Sequence, residues 1–175
     1  MVKNKDGLIV TVSSAGGLQY LFNVAYGVGK SGCDRLAADM AVELRRNNVC
    51  SVSLWPGAVK TETIVQNLEE AKRSVDKTNK FASEMFENGE STEYAGKAVV
   101  HLAADKNKMS KSGRILIAED LGDEYGFLDI DGRKPPNLRA LKSAMQLYKW
   151  NRLASWVPGW VKIPGWMLSA GSSKL

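Results

Sequence analysis

Tyr26 and Lys30 stand four residues apart in "NVAYGVGKSG", with Gly27, Gly29 and Gly32 around them. On a helix that spacing puts the phenol and the ammonium on one face, where both can act on one ligand. A free phenol, with a pKa of about 10, is a poor proton donor and base near neutrality, and a neighbouring cation favours its phenolate. Such a pair suits proton transfer to or from an alcohol or carbonyl oxygen. Each glycine in a helix interior costs about 0.8–1 kcal/mol relative to alanine. Glycines beside this face therefore point to close approach by another backbone or a flat ligand. By itself Tyr-x-x-x-Lys recurs on many solvated helices, so the flanking elements carry the weight.

Those elements alternate. Residues 8–12, "LIVTV", read as a short buried strand ended by Ser13, Ser14 and the Gly16-Gly17 turn. From Cys33 the apolar positions Leu36, Ala37, Met40, Ala41 and Leu44 form one helical stripe. Asp34, Arg35, Asp39, Glu43 and Arg46 are then expected to face away. Val49–Trp55 is a second strand, cut off by Pro56-Gly57. Helices are expected over about 64–86 and 92–104, and a third strand over 113–118. Strand and helix in alternation is the grammar of a parallel α/β sheet. Three strands are few for such a sheet, and the first lacks a neighbour to cover its edge. The expectation is the C-terminal half of a Rossmann-like, doubly wound domain over residues 1–132, followed by a distinct tail over 133–175.

The chain has 24 Lys and Arg against 19 Asp and Glu, a formal charge of +5. The tail, from Arg133 onward, holds eight of the basic residues and no acidic one, so the body is mildly acidic. Four of the five tryptophans, Trp150, Trp156, Trp160 and Trp166, lie in this tail among Lys149, Arg152 and Lys162. Tryptophan with snorkelling Lys or Arg fits a membrane surface, and equally a lid over the fold or a partner subunit. The only cysteines are Cys33 and Cys50 and the only histidine is His101. That excludes a disulfide scaffold and a Cys/His zinc site, and no metal is expected. His101 reads as a helix residue rather than a base. The chain ends in Ser173-Lys174-Leu175, the form of a peroxisomal address.

The order "LIVTVSSAGG … YGVGK … SVSLWPGAVKTE" resembles the short-chain dehydrogenase/reductase family over nearly the whole chain. The resemblance implies an NAD- or NADP-dependent oxidoreductase that interconverts an alcohol and a carbonyl, of steroid, retinoid or xenobiotic type. Tyr26 would be the general acid/base. Lys30 would hold the nicotinamide ribose and tune the tyrosine. Ser14, with Ser13 as the alternative, would bind the substrate oxygen. Pro56 and Gly57 would form the nicotinamide-side turn, with the Val59 backbone on the carboxamide and the Thr61 hydroxyl on the cofactor, against a simple helix cap for Thr61. The family's glycine-rich pyrophosphate turn is not in this sequence, so a truncated chain is expected, and the residues that choose NAD or NADP are missing with it. The competing readings are a non-catalytic binding or scaffold fragment docking on relatives and a membrane-surface protein; no nucleic-acid partner is expected, and a homo-oligomer is. Expected locations are the endoplasmic reticulum membrane surface or the peroxisome.

Overall fold

A computed structural model describes residues 1–66, 86–137, 139–142, 145, 151–158 and 160–172. The chain divides into two compact units, Met1–Pro135 and Pro136–Leu175. In the first, three parallel strands run in the order β1 (Gly7–Val12), β2 (Val49–Trp55), β3 (Ile115–Ile117). The register pairs Gly7 with Val49 through Val12 with Leu54, and Ser53 with Ile115 through Trp55 with Ile117. Helix α1 (Val24–Leu44) crosses from β1 to β2, α2 (Thr92–Ala104) precedes β3, and α3 (Ala118–Tyr125) follows it directly. Parallel strands need such crossovers, so the mixed α/β class expected from the alternation is the one found.

β2 is buried at every position because it has a neighbour on each side. β1 departs from the buried strand its composition suggests: Gly7–Thr11 are half-buried and Val12 is exposed. The cause is its place at the edge, where β2 is its one strand neighbour among the described residues. The core gathers Cys50, Val52 and Leu54 of β2 with Tyr94, Ala98 and Leu102 of α2 and Leu121 of α3. His101 lies in α2, its ring nearly parallel to those of Tyr125 and Phe127 at 5.7 and 4.9 Å, a packing position.

Helix α1 begins nine residues ahead of the stripe at Cys33, because Asn23 caps it, its side chain accepting from the Tyr26 N–H at 2.9 Å. Its inner face differs from the expected stripe. Ala37 and Ala41 are buried, but Leu36 is exposed. Asp34 faces inward instead of away: one carboxyl oxygen accepts from Ser53 Oγ at 2.5 Å and from Trp55 Nε1 at 2.9 Å. Those two buried donors at the end of β2 need an acceptor, and that need outweighs the cost of partly burying a carboxylate.

The expected helix over 64–86 falls mostly outside the described residues; 62–66 and 86–87 are helical. In the second unit, Ala140 and Lys162 form an antiparallel bridge, and the unit also holds the short helices α4 (Asn151–Ala154) and α5 (Gly165–Ser172). Trp156, Trp160 and Trp166 are exposed there. Trp150 and residues 173–175 lie outside the described residues. No described helix is long and apolar enough to cross a membrane.

Candidate active site

The site forms where the C-terminal ends of β1 and β2 meet the first turns of α1, the end of a parallel sheet at which ligands commonly bind. The Ser13 N–H donates to the Leu54 carbonyl at 2.8 Å, carrying the β1–β2 ladder one residue past the strands. Ser13 Oγ then turns back to donate to the Lys30 carbonyl at 2.9 Å. The Lys30 ammonium donates to the Val12 carbonyl at 3.2 Å. Strand end and helix are thus tied twice, and Lys30 keeps two further N–H donors for a ligand. Its Nζ lies 5.7 Å from the centre of the Tyr26 ring, so Tyr26, Lys30 and the serines share one corner.

The two serines differ. Ser13 is buried and its hydroxyl is committed to the helix. Ser14 is half-buried and caps the 3-10 turn Ala15–Gly17, its Oγ accepting from the Gly16 N–H at 3.2 Å and its own proton left to donate. Gly16 and Gly17 cannot carry a side chain here. A Cβ on Gly16 would run into the Tyr26 ring, and one on Gly17 would come within 2.9 Å of the Ser31 nitrogen. Of the α1 glycines, Gly27 does meet a close backbone, since a Cβ there would lie 3.3 Å from the Gly16 carbonyl oxygen. Gly29 and Gly32 have no neighbour within 4 Å among the described residues, so no close approach there explains them. Phe22 stands edge-on to Tyr26, centroids 5.0 Å apart, from a left-handed backbone (φ 60°) that costs a bulky residue free energy.

After β2 the chain turns at Pro56-Gly57 and forms a parallel bridge between Val59 and Glu90. Glu90 donates its N–H to the Ala58 carbonyl at 2.9 Å, and its carbonyl accepts from the Lys60 N–H at 2.8 Å. The Val59 carbonyl accepts from Thr61 N–H at 3.0 Å, while the Val59 N–H has no hydrogen-bond partner among the described residues. Thr61 Oγ1 accepts from the Ile64 N–H at 3.3 Å, the helix-cap role, and retains its own proton as a donor. The described residues include no cluster of three His, Cys, Asp or Glu side chains suited to a metal ion.

Four participants are not visible in the sequence pattern: Phe22, Asp34, Trp55 and Glu90. Asn23 ahead of the tyrosine, a helix-capping residue, is the one signal that draws the helix start back to the site.

A parallel α/β sheet thus sets a serine-bearing strand end against a Tyr-x-x-x-Lys helix, bringing a phenol, an ammonium and a free hydroxyl proton to one end of the sheet. Residues 1–73 match the family model of the short chain dehydrogenases. It is 44% identical over 177 residues to dehydrogenase/reductase SDR family member 1 of Homo sapiens, a match that covers 99% of this chain and 56% of the relative. The chain thus spans little more than half the length of that curated relative. Among solved structures it resembles levodione reductase (20% identity, TM-score 0.54, covering 73% of this chain and 50% of that one). It also resembles ElxO with NADPH bound (24% identity, TM-score 0.53, 67% and 47%). At these identities the likeness is one of fold.

Proposed function

We propose that this chain carries the catalytic part of a nicotinamide-dependent oxidoreductase that interconverts an alcohol and a carbonyl. The observation that carries the reading is the double tie of Lys30, through Ser13 Oγ and the Val12 carbonyl, which fixes its ammonium beside Tyr26 at the sheet's ligand-binding end. The open Val59 N–H and the spare donors of Lys30 and Thr61 fit a nicotinamide nucleotide, and ElxO, of like fold, is known with NADPH bound. That group, when bound, supplies or accepts the hydride. Ser14 donates its hydroxyl proton to the substrate oxygen and holds it. Tyr26 gives that oxygen its proton in the reducing direction and takes it back in the oxidising one. Lys30 holds a ribose hydroxyl and steadies the phenolate with its charge. Val59 N–H and Thr61 O–H orient the carboxamide end, above the Pro56-Gly57 turn. Substrates of steroid, retinoid or xenobiotic carbonyl type are the class to screen.

A chimera in which this chain replaces the matched segment of the Homo sapiens relative tests the reading. It is expected to oxidise NADPH or NADH with a ketone or aldehyde present, while the 175-residue chain alone binds either nucleotide weakly. A folded chimera with no turnover on any carbonyl would end the proposal in favour of a non-catalytic fragment that docks on relatives.

The second unit supports a further role at an anionic membrane surface, because Trp156, Trp160 and Trp166 stand exposed in a segment with no acidic residue. Each Lys or Arg held near such a surface contributes about 1 kcal/mol. Residues 136–175 fused to a fluorescent reporter are expected to bind phosphatidylserine vesicles, and the triple Trp→Ser variant to lose that binding. In cells the same fusion separates reticular membrane staining from peroxisomal import, which depends on Ser173-Lys174-Leu175. A reporter that stays diffuse and off vesicles removes both locations.

A further inference from the structure

We propose that Glu90 and Glu119 form a buried carboxyl pair that shares one negative charge beneath the Pro56-Gly57 turn, and that Glu90 is thereby a positioning residue for Val59. The link to cofactor chemistry rests on the function proposed above; the pair itself stands on geometry.

Both side chains are almost wholly buried, at 1% and 3% exposure. They converge on one point from different elements. A Cβ placed on Gly57 would lie 2.5 Å from a Glu119 carboxyl oxygen and 3.2 Å from one of Glu90. The two carboxyls are therefore close enough for strong mutual repulsion if both ionise, the range being about 4–6 Å. Gly57 is glycine because these carboxyls fill the space beneath it. Glu90 also holds the turn by its backbone, through Ala58 and Lys60. One residue thus fixes the Val59 segment from two sides, by ladder and by support.

The groups facing Glu90 leave it short of compensation. They are the Glu119 carboxyl from α3, the Tyr94 hydroxyl from α2, the Asp129 carboxyl from the segment after α3, and the Gly57 N–H from the turn. The Gly57 N–H faces Glu90 and partly offsets its burial, but among the described residues no hydrogen bond of full geometry reaches either Glu90 oxygen. Burial foremost, and Asp129 as well, push Glu90 up to about 7. Glu119 lies in the first turn of α3, where the helix N-terminus favours negative charge, so in the proposed pair the proton is assigned to Glu90. At this separation the proposed pair would titrate together. Ionising Glu90 near neutrality places a second charge under Gly57 and loosens the turn.

Glu90 has a higher pKa folded than unfolded, so the folded chain binds the extra proton between about pH 4.3 and 7. Its contribution is fully present below the ordinary glutamate value and is lost as pH rises through about 7.

The 175-residue chain itself serves for the test, by amide NMR from pH 5 to 8 with a denaturation midpoint at each end. In the wild type the Gly57 and Val59 amide resonances are expected to shift together with a midpoint near 7. Glu90→Gln, which mimics the protonated acid, should hold both at their low-pH positions and remove the fall in denaturation midpoint between pH 5 and 8. Glu119→Gln should move the midpoint of the shift to lower pH by removing the opposing charge. Amides that do not titrate in the wild type, or that titrate unchanged in Glu90→Gln, overturn the proposal. Neither result depends on catalysis, so a failure here leaves the Tyr26/Lys30 assignment standing, and an inactive chimera leaves the pair standing.

Discussion

Tyr26→Phe, in the chimera, is expected to cut the turnover of carbonyl reduction by about 10²–10⁴-fold while nucleotide affinity stays within a factor of about two. The substitution is clean because it removes one oxygen and nothing else. The ring still fills the space against Gly16 and still meets the edge of Phe22. What disappears is the proton proposed to pass to the substrate oxygen. Lys30→Ala is expected to damage both quantities, since it deletes the proposed ribose donor and also unties the helix from the Val12 carbonyl. Lys30→Arg should restore part of the nucleotide affinity and little of the turnover, because a planar guanidinium cannot place a compact charge beside the phenol in the same way. The measurements are kcat and nucleotide Kd for each variant. Wild-type turnover in Tyr26→Phe would remove the tyrosine from the mechanism.

Much of this arrangement is legible in the residues, for local reasons. β2 and α2 run over the expected spans because strong signals bound them: β-branched residues cut by Pro56-Gly57, and Ser91 capping at the Tyr94 N–H. The Tyr26/Lys30 face needs only helical spacing. Helix α3 lies outside the expected elements, although Glu119 and Asp120 in its first turn and Gly126 at its C-terminal end, with φ 73°, are ordinary helix signals. The third strand is shorter than expected for the same reason, because the last apolar residue of its run begins α3. Sequence reasoning fails at side chains whose partners are remote in sequence. Leu36 looks like a core residue, and Asp34 looks like a surface one. Only the position of Ser53 and Trp55 on β2 reverses that order. Glu90 and Glu119 are likewise indistinguishable from surface glutamates until the turn at Gly57 is placed above them.

Asp34 provides the second large effect, this time on stability. Its replacement by alanine leaves Ser53 Oγ and Trp55 Nε1 without their acceptor at the end of β2, where Ser53 is wholly buried and Trp55 nearly so. Each orphaned donor costs about 1–3 kcal/mol, so Asp34→Ala is expected to destabilise the fold by about 3 kcal/mol. Asp34→Asn keeps an acceptor oxygen and should cost about 1 kcal/mol. Urea denaturation reads both as a lower midpoint at unchanged slope. The second Asp34 oxygen would stand 2.7 Å from a Cβ on Gly17, so the same carboxylate is packed against the turn that follows the serines. Asp34 is also one helical turn past Lys30, on the inner side of α1. It therefore joins the serine turn, the end of β2 and the helix that carries Tyr26 and Lys30. Loss of turnover in the chimera should accordingly follow the order Ala worse than Asn, even at temperatures where both variants remain folded. Equal stability in Asp34→Ala and wild type would show that the strand-end donors find water instead, and that α1 is held in place by its other ties, to Ser13, Val12 and Ser51.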